Sequence, residues 1–199
     1  LTALQSEDAQ VATVVGFGYI PITLFSDVVR PDELAYVPDW ATYVTYAFFH
    51  GDLWHLGGNM LFLWVFGNNI EDRLGHMGYL LFYLLSGVCA AAFQILYDPS
   101  SEVPMIGASG AVSGILGAYL LVYPHARIKT LLIIVIFIKV VDIPAIVLLT
   151  VWFFMQFLYS NVDGIAWYAH VGGFIFGLLF ALLFLVGRKG RKPVRAAGP

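Results

Sequence analysis

Residues 106–124, IGASGAVSGILGAYLLVYP, place Ser109 among small residues at the head of an apolar run. Its glycines recur at intervals of three or four residues, at Gly107, Gly110, Gly114 and Gly117. Such spacing lets two helix backbones approach closely inside a membrane, and a proline at the end of the run stops a helix. The stretch therefore predicts a tightly packed apolar helix, and taken alone it fits both a packing role and a catalytic role for Ser109.

The composition of the whole chain is that of a membrane protein. Hydrophobic residues make up 60% of the 199 residues and charged residues only 12%, whereas soluble domains are about 45–50% apolar and about 25% charged. The net charge of −3 offers no basic surface, so we expect no nucleic-acid partner. Cys89 is the only cysteine, which excludes an intrachain disulfide and a thiolate metal cluster.

Five apolar segments of membrane length follow residue 52, because a span needs about 20 largely apolar residues. They are residues 53–70, 77–97, 108–123, 143–159 and 165–187. Residues 130–144, TLLIIVIFIKVVDIP, are apolar but short, β-branched and interrupted by charges and proline. That stretch predicts a strand or re-entrant hairpin near the membrane interface. The expected fold class is an all-α polytopic membrane protein with five transmembrane helices.

The chain divides into three regions by composition. Residues 1–52 mix polar residues, prolines and aromatics, and predict a long, partly helical loop on the extracellular membrane surface. Residues 53–187 form the transmembrane core, and residues 188–199 form a basic tail. Because the chain begins at Leu1 with no signal pattern, we interpret it as a fragment that lacks its natural N-terminus.

Lysine and arginine predict the orientation of the spans. Alternating the five segments collects most of the basic residues on one side: Arg73, Arg127, Lys129, Lys139 and the five in the tail. Only Arg30 falls on the opposite side. Since cytoplasmic loops are enriched in lysine and arginine, we expect the basic C-terminus to be cytoplasmic.

Four polar side chains fall at a similar depth within the spans: His55, Asn59, Ser109 and His170. At about 1.5 Å of rise per helical residue, they lie roughly 18 to 27 Å above the cytoplasmic ends of their helices. That layer is the outer half of a hydrocarbon core about 30 Å thick. Polar groups at such depth are costly, so each is a candidate functional residue.

These four residue types can support nucleophilic chemistry. Glycines on the third and fifth helices would let Ser109 meet His170, as a nucleophile meets its general base. His55 and Asn59 are four residues apart and share a helix face, from which they could stabilise an oxyanion. Each would also fit a packing or helix-joining role. A metal site is disfavoured, because no HExxH motif occurs and a five-residue spacing puts His50 and His55 on different helix faces.

The chain resembles the rhomboid intramembrane serine proteases from about residue 16 to 187. The matching stretches are YAFFHGDLWHLGGNMLFLWVFGNNIEDRLG at 46–75, GASG at 107–110 and AHVGGFIFG at 169–177. Their order and spacing fit the family, and together the three motifs are highly specific. The family core is a bundle of six transmembrane helices, which implies that the first helix would precede Leu1.

The resemblance also implies roles for individual residues. Ser109 would be the nucleophile and His170 the base, with His55, Asn59 and the backbone N–H of Ser109 at the oxyanion. Gly107 and Gly110 would shape the supporting loop. The implied substrates are transmembrane segments of membrane proteins, cleaved within the lipid bilayer without metal or organic cofactor. The implied location is a bacterial plasma membrane.

Two positions depart from the family pattern. Some members carry a Trp-Arg pair in the large outer loop, whereas Ala41 follows Trp40 here. Relatives often have an aromatic residue four positions after the serine, where it supports the histidine; Ser113 stands there instead and is a rival hydroxyl.

The remaining histidines and two aromatic residues are assigned structural roles. His50, His76 and His125 fall in loops or at helix junctions, and Trp152 and Phe153 are expected to pack against lipid more than to line an entrance. One alternative function is a catalytically silent rhomboid-like protein that binds transmembrane clients. A transporter is disfavoured because the sequence has no inverted repeat and no intramembrane carboxylate.

Overall fold

The computed structural model describes residues 2, 5–24, 26–134, 136–158 and 166–185, and is 70% helical. The helices are α1 Glu7–Phe17, α2 Asp39–Thr45, α3 Leu53–Phe62, α4 Asn68–Tyr97, α5 Ser109–Val122, α6 Ala145–Leu158 and α7 Trp167–Phe184. A π-helical segment, Leu63–Gly67, joins α3 to α4. Two strands, β1 Arg127–Ile134 and β2 Phe137–Pro144, lie between α5 and α6. The basic tail at 188–199 lies outside the described residues.

The loop before α3 is partly helical, as predicted, and is organised around a buried arginine. The Arg30 side chain is 3% exposed and forms an ion pair with Asp39 at 2.7 Å. Its guanidinium also donates to the carbonyls of Val15, Gly16 and Val37. The positive charge is therefore neutralised inside the loop, which explains how one arginine lies apart from the other basic residues. The buried guanidinium of this loop belongs to Arg30. The residue after Trp40, where some rhomboid proteases carry an arginine, is Ala41.

The count of five membrane spans is not confirmed. Among the described residues, two helical stretches are long and apolar enough to cross a membrane, Leu53–Tyr97 and Trp167–Phe184. Helices α5 and α6 have 14 residues each and are shorter than a typical span. Within Leu53–Tyr97, Gly75 has a φ of 72° and interrupts the helical path between the first two predicted segments. Beside this break, His76 bonds Glu71 at 2.6 Å.

The β-branched stretch after α5 forms an antiparallel hairpin. Its pairing runs from Arg127 opposite Pro144 to Ile134 opposite Phe137. The strand prediction is therefore confirmed, and the all-α class is wrong for this part of the chain because alternating β-branched residues favour a pleated strand. The amide of Ala145 donates to the Ala126 carbonyl at 2.8 Å, which ties the start of α6 to the end of α5.

Helix α5 is the centre of the bundle, and every residue from Gly110 to Tyr119 is buried. Its backbone lies directly against α7: a Cβ on Gly177 would collide with the Gly114 carbonyl, and one on Gly173 with the Gly110 carbonyl. The predicted close packing of these two helices is confirmed. This approach of two backbones sets the N-terminal ends of α5 and α7 side by side.

Aromatic and aliphatic residues from α4 and α6 pack around α5 and α7 and complete the core of the bundle. Phe82, Ile115, Leu149 and Phe174 belong to one buried cluster. Trp152 and Phe153 pack against the same cluster, and Phe153 stacks on Phe174 with ring centroids 4.7 Å apart. The expectation that these two aromatics pack mainly against lipid is therefore wrong, because α6 turns them toward α7.

Candidate active site

Ser109 is the first residue of α5 and follows a loop that requires glycine. Gly107 has a φ of 121°, a backbone conformation that residues other than glycine rarely adopt. A Cβ on Gly107 would also lie 2.6 Å from two atoms of the His55 ring. The amide of Gly107 donates to the Tyr46 carbonyl at 2.9 Å. The loop is thus held from both sides, and the predicted supporting position of Gly107 agrees with this geometry.

The structure brings Ser109 and His170 together. The hydroxyl Oγ of Ser109 lies 2.7 Å from Nε2 of His170, within hydrogen-bond distance. His170 belongs to the first turn of α7, where the close glycine contacts with α5 keep the two side chains in register. A serine hydroxyl bonded to an imidazole nitrogen is the arrangement of a nucleophile and its general base.

The other nitrogen of the same imidazole faces a residue that the sequence did not reveal. Nδ1 of His170 lies 2.8 Å from Oε1 of Gln156 on α6. The Trp152 ring, one helical turn away from Gln156, lies 6.3 Å from the His170 ring between centroids. Gln156 interrupts an otherwise apolar part of α6, WFFMQFL, and that polar residue in an apolar helix was the signal that could have found it.

Ser113 is not directed at the imidazole. Its side chain is fully buried and its hydroxyl donates to the Ser109 carbonyl at 2.7 Å, one turn back along α5. A Cβ on Gly173 would lie only 3.4 Å from the Ser113 Cβ. Ser113 therefore lies close to the α7 backbone, with its hydroxyl bonded along its own helix.

His55 lies on the opposite side of the Ser109 loop from His170. It is in the first turn of α3, where Asp52 caps the helix by accepting from the His55 amide at 2.7 Å. Its ring contacts Gly107, two residues before the serine, and it lines the same cleft as Ser109 and His170. The oxyanion role of His55 stays a prediction.

Asn59 is buried but is held by its own helix. Its Nδ2 donates to the His55 carbonyl at 2.9 Å. Among the described residues, Asn59 is not part of the cleft that contains Ser109. The structure therefore does not bring Asn59 onto the serine, and its oxyanion role stays a prediction.

His50 was expected to be structural, and it contacts the serine loop directly. Its side chain is buried, and Nε2 accepts from the Ala108 amide at 3.4 Å. The His50 and His55 rings meet edge to face, with centroids 5.1 Å apart. Burial, and then the neighbouring His55, lower the pKa of His50 below its usual 6.5. A neutral His50 is the form that can accept from Ala108.

The reacting groups open onto a cleft of about 740 Å³. Its lining includes His55, Gly107, Ser109, His170, Met105 and Tyr168. Among the described residues, no group of three or more His, Cys, Asp or Glu side chains is arranged to hold a metal ion.

Comparison with known proteins gives the family of the chain. Residues 37–187 match the model of the rhomboid domain. The chain is 36% identical over 97 residues to Rhomboid protein 1, mitochondrial, of Saccharomyces cerevisiae, covering 47% of this chain and 28% of that protein. It is 30% identical over 159 residues to Rhomboid protease GluP of Bacillus subtilis, covering 80% of this chain and 29% of that protein.

A plant relative extends the range of compartments. Rhomboid-like protein 11, chloroplastic, of Arabidopsis thaliana is 40% identical over 85 residues, covering 43% of this chain and 30% of that protein. The chain thus spans under a third of the length of these three relatives. By name, the yeast relative is mitochondrial and the Arabidopsis relative is chloroplastic.

Proposed function

Because the chain belongs to the rhomboid family, we propose that it is an intramembrane serine endopeptidase that cleaves transmembrane segments of membrane proteins. Members of this family are mostly intramembrane serine proteases. The observation that carries the proposal is the 2.7 Å hydrogen bond between Ser109 and His170, which opens onto a cleft large enough for a peptide.

The proposed reaction uses the two residues in sequence. The Ser109 hydroxyl gives its proton to Nε2 of His170 while its oxygen attacks the carbonyl carbon of the scissile peptide bond. The tetrahedral intermediate collapses, and His170 returns the proton to the leaving amine. Water then loses a proton to His170 and attacks the ester on Ser109. The ester C–O bond breaks, His170 returns the proton to the Ser109 oxygen, and the carboxylic acid is released.

The developing oxyanion would be stabilised at the start of α5. The first amides of a helix have no hydrogen-bond partner within the helix. In α5 the first intrahelical hydrogen bond runs from the Val112 amide to the Ala108 carbonyl. The N–H of Ser109 therefore points out of the helix end, where the helix dipole favours negative charge. His55 faces the same loop across Gly107. We assign these two donors first, with Asn59 as the third.

For the membrane arrangement we propose five spans within this chain. The 14 residues of α5 measure about 21 Å, shorter than a hydrocarbon core of about 30 Å. This length is tolerable because neighbouring helices bury every residue from Gly110 to Tyr119, so that little of α5 faces lipid. We propose a bacterial plasma membrane with the basic side cytoplasmic, supported by the match to the Bacillus protease over 80% of this chain.

We place the β1–β2 hairpin at the cytoplasmic interface. One of its faces is apolar and exposed, through Leu131, Ile133, Ile138 and Val140, and Ile136 at the turn is 82% exposed. Nearest α5, the same face carries Arg127 and Lys129 on β1 and Asp142 on β2 opposite Lys129, and these charged groups would meet the lipid headgroups. A two-stranded hairpin is marginal in water by itself, so burial of this face in the bilayer would stabilise it.

The test is cleavage of a single-span substrate by the full-length protein in liposomes. We expect Ser109→Ala and His170→Ala to lose cleavage, while the matched control Ser113→Ala retains it because Ser113 only bonds a helix carbonyl. Cleavage by Ser109→Ala but not by Ser113→Ala would refute the choice of nucleophile. A wild-type protein that binds several substrates and cleaves none would instead favour the catalytically silent alternative.

A further inference from the structure

Gln156 is bonded at both ends of its amide. Its Nε2 donates to the carbonyl of Trp152 at 3.1 Å, and its Oε1 lies 2.8 Å from Nδ1 of His170. A backbone carbonyl can only accept a hydrogen bond, so the amide atom facing Trp152 must be the NH₂ group. The reversed amide would bring two acceptor oxygens together at that position. The geometry therefore leaves one orientation, in which the amide oxygen faces His170.

This orientation determines where the proton lies on the imidazole. The amide oxygen of Gln156 can only accept, so Nδ1 of His170 must carry a hydrogen and donate it. In a neutral imidazole, Nε2 then has a free lone pair. That lone pair faces the Ser109 hydroxyl at 2.7 Å. The tautomer imposed from α6 is thus the one that can take a proton from the serine.

We propose that Gln156 is a positioning residue for His170, an inference that rests on the proposed function. It holds the imidazole in the Nδ1–H tautomer and keeps its Nε2 directed at Ser109. When the serine proton arrives at Nε2, the imidazole becomes positively charged, and the Nδ1–H bond to the amide oxygen strengthens. Gln156 itself stays neutral and transfers no proton.

Neighbouring side chains hold Gln156 in this position. Trp152 supplies the carbonyl that orients the amide, and its own ring lies 6.0 Å from Phe174 and 6.4 Å from Phe62 between centroids. Ser113 cannot provide support from α5, because its hydroxyl is bonded to the Ser109 carbonyl. The histidine is therefore supported from α6, on the side opposite the serine.

The kinetic test compares Gln156→Leu, Gln156→Glu and the control Met155→Leu, a partly exposed neighbour on α6, in the full-length protein. We expect Gln156→Leu to lower kcat about tenfold to a hundredfold with KM within about twofold, because a bond to a developing charge is lost. Gln156→Glu keeps an acceptor oxygen for Nδ1 of His170, but its second oxygen faces the Trp152 carbonyl, so it should recover part of kcat relative to Gln156→Leu and stay below wild type. A wild-type kcat in Gln156→Leu, or no rescue by glutamate, would overturn the proposal.

A spectroscopic test on the wild-type protein does not depend on turnover or on whether the Gln156 variants fold. Wild-type protein labelled with ¹⁵N-histidine, compared with a His170→Gln sample for assignment, should show Nδ1 of His170 protonated and Nε2 unprotonated near pH 7.5. A proton on Nε2 would overturn the role of Gln156. If a proton is found on Nε2 while Ser109→Ala abolishes cleavage, only the positioning role fails. If Ser109→Ala cleaves normally, the proposed function fails.

Discussion

The close packing of α5 and α7 leads to a prediction about a residue that carries no functional group. Replacing Gly173 with alanine would direct a Cβ into the Gly110 carbonyl, with the carbonyl carbon 3.1 Å away. Contacting carbon atoms prefer about 3.5–4.0 Å, and the backbone of α5 cannot rotate aside as a side chain would. The carbon contact alone calls for a separation of about 0.4–0.9 Å, and the Gly110 carbonyl oxygen, which lies nearer still, raises this to about 1 Å.

That separation acts on the serine and histidine one turn away. Adding about 1 Å to the 2.7 Å bond between Ser109 and His170 takes it beyond hydrogen-bond range. A misplacement of that size at reacting groups costs about a hundredfold in rate. Overpacking a core also costs about 1–3 kcal/mol of folding free energy. We therefore expect Gly173→Ala to lose about a hundredfold in kcat and to unfold at a lower temperature.

The assay is cleavage of a single-span substrate in liposomes, together with a thermal melt in detergent. The matched control is Gly57→Ala on α3, where a new Cβ would meet nothing within 4 Å. It should retain kcat and melt at or slightly above the wild-type temperature, since alanine favours a helix over glycine. A Gly173→Ala protein with wild-type kcat and stability would refute the idea that backbone contact positions the pair.

Four further outcomes are expected. Arg30→Met should lower the free energy of unfolding by about 3 kcal/mol in chemical or thermal melts, because it removes the guanidinium from a site that is 3% exposed; an unchanged melt would contradict this. Gly107→Ala should lose most labelling by a fluorophosphonate, because the loop needs a φ of 121°; wild-type labelling would refute the requirement. Burial lowers the pKa of His50 below its usual value of 6.5, so the stability that neutral His50 contributes is present above pH 6.5 and is lost as the pH falls. The wild type should therefore lose more thermal stability from pH 7.5 to 5 than His50→Asn. Equal losses in the two proteins would contradict this expectation. A nitroxide on Ile136→Cys, in a Cys89→Ser background, should be more accessible to oxygen than to a polar nickel complex; the reverse would remove the hairpin from the membrane.

Much of the architecture follows from local patterns in the sequence. The hairpin was predictable because β-branched residues and charges interrupt an apolar run too short to span. The division of the first long stretch into two helices was predictable from the polar cluster around Gly75. The count of spans was less secure, because helix length depends on where the backbone departs from helical geometry. Helix α5 has 14 residues, fewer than the predicted segment 108–123.

The contact between Ser109 and His170 could be anticipated from the sequence by itself. Helical rise sets the depth of a residue from its distance to the helix end, and glycine spacing marks the faces that can approach. Both quantities are local, so no knowledge of the remaining fold was needed. The special position of Gly107, just before the helix that carries the serine, was instead implied by the resemblance to the rhomboid family.

What surrounds the imidazole was decided by the tertiary structure alone. Gln156 meets His170 because of the rotation of α6 about its axis, and His50 reaches Ala108 because of the path of a loop. Neither quantity is encoded in spacing along one segment; each depends on how side chains far apart in sequence pack together. The sequence determined which helices meet and at what depth. Only the packed structure decided which side chain holds the histidine, because the direction of a side chain is set by its neighbours in space.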